Sequence, residues 1–276
     1  MRNDTVVIFL SILITAVLGG GGLRAIGTSS STEELPSNLK DVARPVVVES
    51  ATRTALVPIL VYHTIRPLTP KDTKSERYYN TSPELFAKEL AWLKDHGFAT
   101  ISFASLLDAL KNGAALPDHS VILTFDDGNA SHWQYAFPAL QAAGAKGTFF
   151  IFSNAIDRPR WLTLEQLKTM QAVGMEIQGH TRYHPYLTKL DDATLDDELV
   201  TSKKILESDF NTKITVLAYP FGLTDERVTA HAIAAGYQAA RTLVPGPHQD
   251  SKHLMELHAS LMHEDWNNFL RAMNAK

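Results

Sequence analysis

The sequence contains no cysteine among its 276 residues. That removes disulfides, thiolate zinc sites, iron–sulfur clusters, cysteine nucleophiles and a lipid anchor on a processed cysteine. Any metal must be held by His, Asp or Glu. A basic excess is also missing: 26 Lys and Arg stand against 30 Asp and Glu, a net charge of −4. Nothing is available to neutralise a phosphate backbone, so nucleic acid is not an expected partner. No Gly-x-Gly-x-x-Gly follows a predicted strand, and the run Gly19–Gly22 lies in the apolar N-terminal segment. A dinucleotide site is therefore not expected. Hydrophobic residues at 45% and charged residues at 20% exclude wholesale disorder, collagen and coiled coil.

Residues 1–26 read as an export segment. Arg2 gives a positive start, and Val6–Leu18 is apolar apart from Ser11 and Thr15. A signal-peptide core spans ~7–15 residues and a membrane-crossing helix ~20. Val17 and Leu18 crowd the obvious small-x-small cleavage positions, so a signal peptide and an N-terminal membrane anchor both stay open. Either places the protein outside the cytoplasm: secreted, periplasmic or anchored facing outward. Residues 27–55 carry Ser, Thr, Glu, Pro and Asn with little apolar periodicity and read as a flexible linker. All 11 histidines lie after residue 60, so chemistry is expected in a single catalytic domain over 56–276.

That region alternates two periodicities. Leu56–His63, Val121–Phe125, Gly147–Phe152, Met175–Gln178, Lys213–Tyr219 and Tyr237–Arg241 are short apolar runs, the mark of strands buried on both faces. Between them lie amphipathic stretches with start and stop signals. Ser82-Pro83 opens one that ends at Gly97, Thr163-x-x-Gln166 is a capping box, and Gly144, Gly174 and Gly236 end others. The pattern predicts an α/β fold, a distorted (β/α) barrel of about seven parallel strands, with an open doubly wound sheet as the alternative.

In such a barrel the active site lies at the C-terminal strand ends. His63, Asp126–Asp127, His180 with His184, and Pro220–Phe221 all fall there. Adjacent carboxylates at the end of a strand face different ways, so one can bind a metal while the other stays free as a base. Two imidazoles four residues apart reach one ion. Two His and one Asp leave an open coordination position, the catalytic arrangement. Trp133, Trp161, Tyr183 and Tyr186 can stack on sugar faces, against the ordinary reading of aromatics as core.

Thr124-Phe125-Asp126-Asp127-Gly128, His180-Thr181-x-x-His184 and Ala218-Tyr219-Pro220-Phe221-Gly222 resemble three motifs of the polysaccharide deacetylases, carbohydrate esterase family 4. The resemblance covers about residues 57–270. Pro58–His63 and Gly236–Thr242 are most similar to the branch with poly-N-acetylglucosamine deacetylases. It implies that Asp127, His180 and His184 hold a divalent metal, zinc first, with cobalt, nickel or manganese as alternatives. It implies that Asp126 is the general base for the metal-bound water, that the Phe221 N–H helps hold the oxyanion, and that a late histidine protonates the leaving amine. For that acid His258 is preferred over His263. His63, Tyr219, Arg241, Trp133 and Tyr183 are assigned supporting or substrate-facing places. Two departures stand out. Ala218 occupies a position where the family often has an Arg bonded to the base, leaving Arg241 as the candidate substitute, and Asn129 replaces a frequent aromatic. The resemblance implies removal of N-acetyl groups from an extracytoplasmic N-acetylglucosamine polysaccharide. The alternatives are an O-acetyl esterase on a xylan-like polymer and a non-catalytic sugar-binding module.

Overall fold

The computed structural model describes residues 52–274. The segments read as export signal and most of the linker lie outside the described residues. The linker boundary needs correction. Thr54–Leu56 is a strand paired antiparallel with His248–Asp250, and Arg53 donates to the Lys111 carbonyl at 2.7 Å. The short run Thr54-Ala55-Leu56 finds its backbone partners almost two hundred residues away, which no local pattern could reveal.

One parallel, curled half-barrel carries the fold; an eighth strand, Ala99–Thr100, pairs at its side with Ser120–Val121, and seven strands form its continuous path. They are β1 (Ile59–Tyr62), β2 (Ser120–Phe125), β3 (Thr148–Ile151), β4 (Glu176–Gly179), β5 (Val216–Ala218), β6 (Ala239–Arg241) and β7 (Ser260–Leu261). Their order across the sheet is β6-β5-β4-β3-β2-β1-β7. Leu257, just before β7, bridges to Arg241 at the opposite end of the order, so the sheet curls back on itself. The predicted Leu56–His63 strand is broken in two at Val57-Pro58, because proline cannot donate to a ladder.

Strand alternation sorts side chains into two layers. Ile59, Val61, Ile122, Phe150, Val216 and Ala239 share one cluster with Phe103, Leu106 and Leu110 of helix α2 (Phe103–Asn112). The Phe103 N–H donates to Glu176, the first residue of β4, which sets α2 at the N-terminal edge of the sheet. Leu60, Tyr62, Leu123, Phe125, Phe149 and Ile177 belong to the second cluster. There they meet α1 (Pro83–Asp95), α3 (Phe137–Ala143), α4 (Leu164–Ala172), α5 (Ser202–Phe210), α6 (Glu226–Ala234) and α7 (Trp266–Ala272). The helices start where the sequence marks them. Ser82 accepts from Leu85 N–H, Asp225 from Val228 N–H, and Thr163 with Gln166 closes a reciprocal capping box. Each such cap contributes ~1 kcal/mol.

One buried carboxyl lies in the helix-facing layer. Glu89 of α1 is 1% exposed and accepts from Tyr62 Oη at 2.8 Å, while its other oxygen has no partner among the described residues. Burial, reinforced by Glu264 and only partly offset by the Tyr62 hydrogen bond, raises its pKa from 4.5 to about 8. Between those values the folded chain holds a proton that the unfolded chain has released. Stability from this site is full below about pH 4.5 and is lost as pH rises toward 8. Glu89→Gln keeps the acceptor and removes the ionisation. Chemical denaturation at pH 5 and pH 8 should show the variant gaining on the parent by on the order of 1 kcal/mol or more at the higher pH. Equal pH slopes for the two proteins would contradict the assignment.

Candidate metal centre and active site

The C-terminal ends of the strands carry the polar residues the barrel interior cannot tolerate elsewhere. Alternation along β2 places Ile122 and Thr124 on one side and Phe125 on the other, so Asp126 follows inward and is 2% exposed. Asp127 then turns away at φ +71°, and Gly128 follows at φ +78°. At Gly128 a Cβ would sit 2.9 Å from the Ile151 side chain, so glycine is required both for space and for backbone. Thr181, His184 and Phe221 also have positive φ. Left-handed backbone at a non-glycine residue costs ~1–3 kcal/mol, and its concentration here marks a site whose geometry the fold over-determines.

Asp127, His180 and His184 offer ligand atoms that all lie within 4.8 Å of one another. His180 Nε2 and His184 Nε2 stand 3.4 and 3.5 Å from Asp127 Oδ1. The Nδ1–H of His180 donates to the Ala218 carbonyl at 2.7 Å, which leaves Nε2 as the lone-pair nitrogen. Among the described residues, His180 Nε2 and Asp127 Oδ1 are buried without a hydrogen-bond partner. Two converging, unsatisfied acceptors cost free energy unless a cation lies between them, so this donor set fits a divalent metal. Burial, with His180 next to it, lowers the His184 pKa to about 4, which keeps that imidazole in its neutral, ligating form. Burial opposes ionisation of Asp127, but the cluster of His180, His63 and His184 around it more than offsets that, and its pKa is lowered.

The turn carrying the histidines is pinned from below. Arg182 N–H and Tyr183 N–H both donate to Glu198 Oε2, at 2.8 and 2.9 Å, and Glu198 is 4% exposed. The sequence offered no sign of this role, since Glu198 sits among ordinary helical acidic residues.

Asp126 is outside the triad. The Arg241 guanidinium, fully buried at the end of β6, pairs with its Oδ2. Burial pushes the Asp126 pKa up, and Arg241, His180 and His63 more than reverse that, so the group stays a carboxylate. Arg241 thus occupies the place left open by Ala218. His63, just past β1, presents Nε2 to Asp126 Oδ2 at 3.9 Å, with its ring against Tyr79.

The remaining assigned residues divide. Phe221 stands beside the triad, its ring 4.7 Å from that of His184, and its backbone N–H has no acceptor among the described residues. Gly222 follows at φ +69°, where a Cβ would meet the Leu243 backbone at 2.6 Å. Tyr186 stacks on Phe221 at 4.0 Å, and both rings are more than 40% exposed. Tyr183 is exposed at the same rim. Tyr219 is buried, its hydroxyl toward Thr229 of α6. Trp133 must be corrected. It stacks on Phe137 and packs against the core, because the first turn of its helix faces the sheet. His258 must be corrected as well. It lines a cleft with His248, His253 and Glu256, its backbone is held by Gln249, and among the described residues no hydrogen bond or ion pair joins it to Asp126 or the metal cluster. His263 stacks on Tyr78 instead. The imidazole that meets Asp126 is His63.

A strongly curled parallel sheet with a two-His, one-Asp centre and an Arg-paired carboxylate at its C-terminal edge is the architecture of a hydrolase. A polysaccharide deacetylase family model matches residues 113–240. The Bacillus subtilis protein YxkH, named for the same family, is 30% identical over 206 residues, 75% of this chain and 71% of its own. The poly-beta-1,6-N-acetyl-D-glucosamine N-deacetylase of Staphylococcus aureus is 27% identical over 168 residues, 56% of this chain and 58% of its own, so this chain spans little more than half of that relative. The structure of the Streptococcus pyogenes deacetylase PplD superposes with a TM-score of 0.73 at 28% identity, covering 79% of this chain and 97% of the other. This chain belongs to the polysaccharide deacetylase family.

Proposed function

We propose that the protein is a metal-dependent N-deacetylase of an extracytoplasmic polysaccharide containing N-acetylglucosamine, releasing acetate. The observation that carries the reading is the division of labour at the strand ends. Asp127, His180 and His184 converge, with Asp127 Oδ1 and His180 Nε2 unsatisfied among the described residues, whereas Asp126 is held apart by Arg241. A non-catalytic sugar-binding module has no use for a separately ionised, buried carboxylate next to a metal centre.

Asp127, His180 and His184 would hold the metal, and an all-N/O donor set with an open position suits Zn²⁺. When bound, it supplies Lewis acidity, polarising the acetamide carbonyl and acidifying water. Asp126 takes a proton from the attacking water, its carboxylate held in place by Arg241. The Phe221 N–H donates to the oxygen on which negative charge develops. His63 stands across from Asp126 and hands a proton to the departing nitrogen, the part first given to His258. The exposed Tyr186–Phe221 stack offers a flat apolar face next to the reacting centre, suited to a pyranose ring. The substrate named for the staphylococcal relative supports a hexosamine polymer. The apolar segment after Arg2 supports export, by signal peptide or membrane anchor.

Zinc-loaded protein incubated with N-acetylglucosamine oligomers of several linkages should release acetate and primary amine in equal amounts. Acetylated xylan should release little. Acetate without amine would turn the reading to an O-acetyl esterase, and sugar binding without acetate would turn it to a binding module. A reporter that works only outside the cytoplasm, fused after residue 55, should be active.

A further inference from the structure

The ladder along β1 ends at Tyr62. Its carbonyl accepts from Asp126 N–H at 2.8 Å, and the Val61 carbonyl accepts from Met262 N–H at 2.8 Å. The His63 carbonyl, the next along, has no sheet partner among the described residues. A side chain takes it instead: His132 Nε2–H donates to His63 O at 2.6 Å. A carbonyl only accepts, so the proton is on Nε2 and Nδ1 carries the lone pair. That Nδ1 is buried with no partner among the described residues. Next to it, Ser131 Oγ accepts from Ile65 N–H at 3.2 Å. Two consecutive side chains therefore grip the backbone on both sides of Thr64.

The grip is itself rigid. His132 is fully buried, its ring edge-on to Phe125 and Phe149 at 5.5 and 5.8 Å. Ser131 N–H donates to Asn129 Oδ1, and His132 N–H to the Asn129 carbonyl. His132 also opens a π-helical turn, His132–Ala136, ahead of α3. Such turns are rare and concentrate at functional sites. Burial lowers its pKa to about 4, so the ring is neutral. An apolar residue would fill this space at lower desolvation cost, and an orphaned Nδ1 is the penalty for keeping the imidazole.

We infer that His132 is a positioning residue: with Ser131 it holds the backbone of His63–Ile65 so that the His63 imidazole meets the departing nitrogen. This rests on the assignment of His63 as the acid. A lost backbone anchor lets the imidazole drift, and a misplacement of about 1 Å costs up to ~10²-fold in rate.

The test separates acid catalysis from general damage by leaving group. An N-acetylglucosamine oligomer expels an amine that needs a proton, whereas 4-nitrophenyl acetate expels a weakly basic phenolate that needs none. His63→Ala should lose ~10²–10⁴-fold on the amide and far less on the ester. His132→Phe should show the same split in smaller measure, ~10–10²-fold in kcat on the amide with KM nearly unchanged. His132→Gln, whose amide nitrogen reaches about as far as Nε2, should restore most of the amide rate, and the shorter His132→Asn should not. If His132→Phe does not fold, the Gln and Asn variants carry the comparison alone. A split for His63→Ala but equal losses on both substrates for the His132 variants, or no loss, would overturn the proposal and leave the acid assignment standing. No split for His63→Ala would remove the acid assignment itself.

Discussion

Asp126→Asn should retain its metal and lose ~10²–10⁴-fold in kcat, the usual worth of a general base. The substitution is nearly isosteric and preserves a hydrogen-bond acceptor for Arg241, but an amide takes no proton at neutral pH. KM should move little if the group acts chiefly in the transition state. A second consequence comes from burial. Asp126 is 2% exposed and Arg241 fully buried, so the neutral amide leaves a buried guanidinium without its counter-charge. Removing one partner of a buried pair costs ~3–5 kcal/mol. The melting temperature should therefore fall, by about 2–4 °C per kcal/mol for a domain of this size. Rates must be read well below the new transition. Metal content by atomic absorption, kcat on an N-acetylated oligomer and a thermal melt make up the test. A variant that has lost its metal, or turns over normally, contradicts the assignment.

His184→Ala should abolish activity together with metal binding while leaving the fold in place. His184 is the cleaner choice of the two histidines, because His180 also satisfies the Ala218 carbonyl, and deleting it would add a buried orphan worth ~1–3 kcal/mol. Asp127→Ala should behave like His184→Ala, which separates it from Asp126→Asn next door. The ligands sit on strand ends already held by two apolar clusters and by Glu198, so folding does not wait for the metal. Chelation should abolish turnover and leave far-UV circular dichroism intact, unlike small zinc domains in which binding and folding are one event. Full metal occupancy in His184→Ala would sink the triad, and unfolding on chelation would sink the preformed site.

Much of this arrangement was legible in the chain because the signals are local. A period of two along Ile122–Asp126 sends Asp126 inward, and the following Asp-Gly lets Asp127 turn away, so two neighbouring carboxylates acquire different surroundings. Two histidines four residues apart after a strand are brought to one place by any tight turn. The apolar runs, caps and stop glycines marked the strands and helices to within a few residues, since hydrogen bonding and burial there depend on near neighbours. β7 escaped because two residues carry no periodicity, and the Thr54–Leu56 strand because its partner is remote.

What the tertiary structure alone decided were the pairings around the curled sheet. Arg241 reaches Asp126 across 115 positions of sequence because β6 and β2 both end at the same mouth. His63 rather than His258 faces the carboxylate, although sequence position favoured the late histidine. The register of β7 against β1 sets Leu261 beside Val61, carrying His263 to the outer rim with Tyr78 and leaving His258 in a neighbouring cleft. Glu198 and His132 look like ordinary helical residues until the helices dock, after which each satisfies backbone groups that the strands and turns leave open. Residue type and local spacing set which chemistry each strand end can offer. Strand order and register set which of those ends meet, because contact across a curled sheet depends on geometry summed over every intervening element.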